Sequence, residues 1–184
     1  MRGISIYGTA PAADILNDGH IIARPFYIVI QDEVNPLRDD FINFIFSAEG
    51  QSIVARNYAP VGDNFPAFSS IGLPGALTVA GSTSVYPIMS RLAEVYSELT
   101  GVNVEVQAMD SSMGIGLVKD DMIDIGMSSR GLTAAELVTL DAITMAYDGL
   151  VVIVHPDNPL ESLTLEQVRG IFEGEITLWN EVIE

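Results

Sequence analysis

The chain has no cysteine and a single lysine, Lys119, among its 184 residues. Without cysteine there are no disulfides, thiolate metal ligands or thiol nucleophiles. Such a chain is compatible with life outside the cytoplasm but does not require it. Eight basic residues stand against 25 acidic ones, a formal net charge of −17. A phosphate backbone or an acidic membrane surface needs a basic patch, so neither is an expected partner. No apolar run approaches the roughly 18 residues that span a bilayer. The amino end, MRGISIYG, lacks the apolar core of a signal peptide, so either the chain is cytoplasmic or an export segment lies outside these residues. Gly-x-Ser-x-Gly elbows, Walker loops and His-Glu-x-x-His motifs are missing as well. His20 and His155 have no carboxylates at ligand spacing and read as structural. No catalytic residue, metal or cofactor is expected. The seven methionines read as core filler.

A hydrophobic fraction of 48% provides for a sizeable core. His20–Ile30 reads as a buried strand, and Asn35-Pro36 opens a helix whose Leu37, Phe41, Phe44 and Ile45 share one face, with Gly50 as a candidate break. Residues 65–76, rich in Gly, Pro and Ser, read as a linker. Beyond it strands and helices alternate: strands at Leu77–Ala80, Val102–Gln107, Ile123–Met127 and Ile143–Val154, helices at Tyr86–Leu99, Ser112–Val118 and Thr133–Leu140. Thr133 with Glu136, and Thr164 with Gln167, have capping-box spacing. The alternation predicts an α/β fold with a mostly parallel sheet flanked by helices.

Three of the strands end in hydroxyl-rich turns that open helices or loops: Ser82-Thr83-Ser84, then Asp110-Ser111-Ser112, then Ser128-Ser129-Arg130. In such sheets ligands gather at the carboxyl ends of strands. Free helix-start amides and hydroxyls there suit an oxyanion without lysines. Each group can equally be a plain helix cap; three at neighbouring strand ends favour an anion site. Arg130 borders it and could serve as a ligand contact or as support. Asp110 could accept a proton from hydrogen phosphate, which sulfate cannot offer, or could simply cap the helix. Arg24, before Pro25, reads as structural, and Asp148 as a turn residue with a second possibility as an acceptor.

The run LTVAGSTSVYPIMSRLAEVYSELTG, followed by VNVEVQAMDSSMGIGLVKDDMIDIGMSSRGL and AYDGLVVIVHPDNPLESLTLEQVRGIFEGEITLWNEV, resembles the amino-terminal lobe of ABC-transporter phosphate-binding proteins, of periplasmic-binding-protein type II fold. The resemblance implies that Thr83, Ser84, Ser111 and Ser129 contact the anion. Many of those proteins carry an aspartate where Ser129 stands, and others a Ser-Arg pair, as here. Their second lobe supplies an arginine and a Ser-Gly-Thr loop, and no such loop is found in this chain.

IIARPFYIVI and DDFINFIFSAEGQSIVARNYAPV resemble that family's carboxyl-terminal end, so its order is inverted here, either by circular permutation or by excision from tandem modules. The expected organisation is a segment 1–64 completing the lobe, a linker 65–76, an anion-binding core 77–159, and a helical segment 160–184 that belongs to the second lobe in the family. The resemblance implies an extracytoplasmic phosphate-binding module of an ABC uptake system, membrane-anchored in its full-length context, with an ABC permease as partner. Surface left by the missing lobe would favour self-association. The alternative is a non-transport surface or sensor module that uses the lobe as a protein-interaction scaffold.

Overall fold

The structure, a computed structural model, describes residues 1–6 and 22–183. His20 and the start of its expected strand lie outside the described residues. In chain order the elements are β1 (Arg2–Gly3), β2 (Ser5–Ile6), β3 (Ala23–Gln31), α1 (Pro36–Ile45), α2 (Ala48–Val54), β4 (Ala76–Ser82), α3 (Tyr86–Thr100), β5 (Asn103–Met109), α4 (Ser111–Lys119), β6 (Ile125–Ser128), β7 (Leu140–Gly149), β8 (Ile153–Val154), β9 (Ser162–Leu163) and α5 (Leu165–Glu173). They form two compact units, residues 24–148 and residues 1–23 with 149–184.

The larger unit is built on a five-stranded sheet of order β5-β4-β6-β3-β7. β5, β4 and β6 run parallel. β3 departs from the expected parallel pattern: it lies antiparallel to β6, with Ile28 opposite Met127. No helical crossover joins it to β6, so the right-handed crossover rule does not set its direction. Side chains alternate along β3. Ile28 joins the main core with Phe41, Phe44 and Tyr96, whereas Val29 packs with Ile115 and Val118 of α4.

Asn35 caps α1 by accepting from the Arg38 amide at 3.0 Å, and Pro36 occupies its first turn. The helix stops at Ser47 rather than at Gly50. The Ser47 hydroxyl donates to Phe44 O at 2.6 Å and accepts from Gly50 N at 3.1 Å, closing one helix and opening the next. The expected helix at 133–140 shrinks to a single 3₁₀ turn, Glu136–Val138. Its capping pair does form, with Thr133 N to Glu136 at 2.7 Å and Glu136 N to Thr133 at 3.3 Å. Leu137 and Val138 are exposed, so no apolar face holds a longer helix.

Segment 65–76 has no helix or strand until Ala76, yet it is fastened along its length. Phe68 packs edge-on against Phe44, with ring centroids 5.1 Å apart. Asp40, 2% exposed, accepts from Tyr96 Oη at 2.8 Å, Ser70 Oγ at 3.1 Å and Ile71 N at 3.1 Å. Burial, then the neighbouring Asp40, pushes the Tyr96 phenol well above its ordinary value. Arg24 has the structural role suggested by its position. It grips Asp148 through Nη2 at 2.7 Å and Nε at 2.9 Å, and lies over the Phe26 ring.

In the smaller unit the chain's two ends fold together. β1 pairs antiparallel with β8, and β2 parallel with β9. Residues 1–6 thus pair with the later strands, and the segment that enters the large sheet begins at Ala23. Ile4, Ile6, Leu160, Leu163 and Val182 make a separate core. The Thr164–Gln167 capping box opens α5. Phe172, Leu178 and Trp179 stand exposed. Among the described residues no helix is long and apolar enough to cross a membrane.

α4 packs closely on β4. A Cβ added to Gly114 would sit 2.7 Å from both Ala80 O and Gly81 Cα. Gly114→Ala should therefore force α4 off β4 and cost about 1–3 kcal/mol, read as a lower denaturant midpoint. An unchanged midpoint would refute this packing. Tyr96→Phe removes one donor from the buried Asp40 carboxylate and should cost roughly 1–3 kcal/mol by the same measurement.

Candidate functional site

The three hydroxyl groups of residues converge at the carboxyl ends of β4, β5 and β6, all within the larger unit. Two glycines make this possible. Gly81 has φ of +139°, and a Cβ there would lie 2.2 Å from Met127 O. With Gly114 on the helix above, α4 can settle onto the β4 and β6 ends. Ser129 N then donates to Ser111 Oγ at 3.3 Å, and Ser82 Oγ to Ser129 Oγ at 2.9 Å.

The helix starts differ. Position Val85 caps α3 and carries no side-chain cap bond. Ser82, Thr83 and Ser84 thus leave the first turn of α3 unsatisfied, and the plain-cap alternative does not hold for them. Ser82 is buried, Ser84 half-buried and Thr83 exposed. The Thr83 amide is committed to Met109 O at 3.0 Å, joining β4 to the end of β5.

At α4 the cap is Asp110, whose Oδ1 accepts from Met113 N at 2.9 Å. Ser111 and Ser112 form the helix's first turn, so their amides precede the first intrahelical bond. Asp110 therefore fills the capping role while its Oδ2 stays available as an acceptor.

Ser128 is fully buried, and its hydroxyl turns inward: it donates to Arg130 O at 2.7 Å and accepts from Arg130 N at 3.1 Å. Both bonds shape the turn, and the hydroxyl is engaged within it rather than directed to the open space at the strand ends. Ser129 is half-buried beside Ser111 and Ser82.

Arg130 is held by a residue that sequence reasoning treated only as half of a capping box. Glu136 takes Nη1 at 3.0 Å and Nη2 at 2.9 Å, and the same Nη2 reaches Ser112 Oγ at 3.1 Å. The hydrogen bond to Glu136, helped by the Asp110 charge, holds the guanidinium protonated against the cost of burial. The bond from Arg130 and the Thr133 amide bring the Glu136 carboxyl down to about 2. An acid six residues beyond Ser-Ser-Arg was the visible signal.

Among the described residues no cluster of His and carboxylates could hold a metal, and His155 meets only Asp157, at 3.5 Å on the exposed surface. A cavity of about 490 Å³ lies in the smaller unit against Glu161, Thr164 and Gln167. None of its lining belongs to the serine cluster, and volume without converging donors does not define a site.

A parallel α/β layer that gathers helix-start amides and hydroxyls at its strand ends is a construction suited to holding an anion. The model of the PBP superfamily domain matches residues 68–183. Phosphate-binding protein PstS 2 of Streptococcus pneumoniae is 35% identical over 185 residues, spanning 99% of this chain and 64% of that protein. Its Streptococcus agalactiae counterpart is 37% identical over 177 residues, spanning 94% and 60%. The crystal structure of a phosphate-binding protein of a phosphate ABC transporter from S. pneumoniae superposes with a TM-score of 0.90 at 34% identity, over 99% of this chain and 72% of that one. A Clostridium perfringens substrate-binding protein solved with bound phosphate gives 0.52 at 38% identity, over 58% and 44%. The chain belongs to the PBP superfamily. It spans 60 to 64% of the length of these curated relatives.

The Glu136 carboxyl sits at about 2 in the fold against an ordinary 4.5, so the pair stabilises above pH 4.5 and its contribution is lost as pH falls towards 2. Glu136→Gln should flatten the acid limb of the stability curve in that window. An acid limb identical to the parent's would disprove the assignment.

Proposed function

We propose that this chain is the phosphate-binding part of an extracytoplasmic solute receptor serving an ABC uptake system, with no enzymatic role. The observation that carries the reading is the uncapped start of α3 beside the first turn of α4. Both helices direct unsatisfied amides and the positive ends of their dipoles to the place where Thr83, Ser84, Ser111, Ser112 and Ser129 present hydroxyls. Phosphate is the ligand named for the relatives of this chain. An ABC permease is the corresponding partner, and the order of segments, family end first, is part of the same reading. What supports the part of it in which the early segment completes the lobe is the shared core: Phe26, Phe41 and Phe44, from before residue 65, pack with Leu77, Met89 and Tyr96, from after it. Exposed Phe172 and Trp179 favour self-association of the smaller unit.

Asp110 gives the site its selectivity. A dianionic hydrogen phosphate can donate its one proton to the free Asp110 oxygen. Sulfate has no proton to give, so the carboxylate only repels it.

Calorimetric titration at physiological salt should show saturable phosphate binding and none of sulfate. Absence of heat with phosphate would sink the reading. Ser111→Ala should weaken phosphate about tenfold, roughly 1.4 kcal/mol. Asp110→Asn keeps a good helix cap but replaces the acceptor with a donor. It should narrow the preference for phosphate over sulfate by about tenfold or more; an unchanged ratio would remove Asp110 from the site.

A further inference from the structure

We propose that Glu136 is a positioning residue of the anion site: it fixes Arg130 as a donor to Ser112, so that the Ser112 hydroxyl turns its own proton to the ligand. The inference rests on the phosphate reading above.

Arg130 has five N–H groups. Nη1 gives its two to Gly131 O at 3.0 Å and Glu136 Oε2 at 3.0 Å. Nη2 gives its two to Ser112 Oγ at 3.1 Å and Glu136 Oε1 at 2.9 Å. Every Nη hydrogen is therefore committed inside the protein, and the two-point grip of Glu136 sets the plane of the guanidinium. The pair is neutral as a whole, so Arg130 adds orientation rather than net charge to the site.

The consequence falls on Ser112. A hydroxyl has one proton and two lone pairs. With a lone pair engaged by a charged donor, the O–H bond is polarised and its proton must point away from the guanidinium. Ser112 is exposed in the first turn of α4, where the helix-start amides face the same open space. Ser111 is treated alike, its oxygen accepting from Ser129 N at 3.3 Å. Two adjacent hydroxyls thus have oxygens engaged by the protein and protons free for an anion. Glu136 takes part without touching the ligand.

This arrangement separates two roles for Arg130. Were it a direct ligand restrained by Glu136, removing the carboxylate would release a full positive charge and tighten binding. As a positioning group it loses its plane when Glu136 is lost, and binding weakens.

The test is a double-mutant cycle read by phosphate calorimetry, with a denaturation midpoint taken for each variant. Glu136→Gln and Ser112→Ala should each weaken phosphate about tenfold, and the pair together no more than either alone. Arg130→Gln should match them. Equal or tighter binding by Glu136→Gln, or losses that add in the double variant, would overturn the proposal. A second readout needs no phosphate. The Arg130 guanidinium hydrogens should be resolved in the ¹⁵N spectrum of the parent chain and averaged in Glu136→Gln. Signals that stay resolved in that variant would also overturn it. If the parent binds no phosphate, the phosphate reading fails by itself, and the Arg130 signals still decide the positioning role.

Discussion

The close approach of α4 to β4 is the constraint on which the rest depends. Only hydrogen atoms stand between the helix backbone at Gly114 and the strand backbone at Ala80 and Gly81. A methyl group at Gly114 would push the helix outward, and the first turn of α4 would leave the ends of β4 and β6. Ser111 would then lose the Ser129 amide, Ser112 would leave the reach of Arg130, and Asp110 would move with the helix it caps. The site is therefore a product of packing: residues with no polar chemistry set the distances at which the polar ones act.

The electrostatics follow from the composition. A chain with a net charge of −17 repels anions at long range. Its cations cannot offset this, because the arginine nearest the site is already paired with Glu136. What is left for the proposed anion site is short-range and directional: amides at two helix starts and, on the inference drawn above, hydroxyl protons whose oxygens are already engaged. Donors of this kind cost no reorganisation and are weakly screened by salt, since they work at contact distance. They also discriminate by geometry, which a mobile lysine would not.

Local devices were legible in the sequence. Asn35 before Pro36 announces α1, and Thr164 with Gln167 announces α5, because a cap and its amide lie within one turn of each other. The parallel strands, with alternating or continuous apolar runs, were readable for the same reason. What escaped was mostly non-local. The break falls at Ser47 rather than at the glycine three residues on, because the Ser47 hydroxyl serves Phe44 O behind it and Gly50 N ahead of it. The antiparallel direction of β3 is decided by which strand it meets, not by its own residues. Glu136 has capping-box spacing from Thr133, and that local reading is correct as far as it goes. Its grip on Arg130 arises only when the chain turns back between β6 and β7. The hydroxyl cluster itself could be placed because each member follows a strand; which hydroxyls face inward, as Ser128 does, required the fold.

The strap 65–76 joins two halves that share one interior. Phe26, Phe41 and Phe44 come before it, and Leu77, Leu92 and Tyr96 after it; all lie in the same buried cluster. The smaller unit repeats the arrangement, with β1 and β2 from one half lying against β8 and β9 from the other. Each half alone would expose one side of both cores. The covalent link across residues 65–76 thus adds proximity to the contacts that the strap itself makes through Phe68, Ser70 and Ile71. A chain nicked within this strap would hold together as a complex of its two fragments, and the fragments made separately would have in each other the missing side of their own cores.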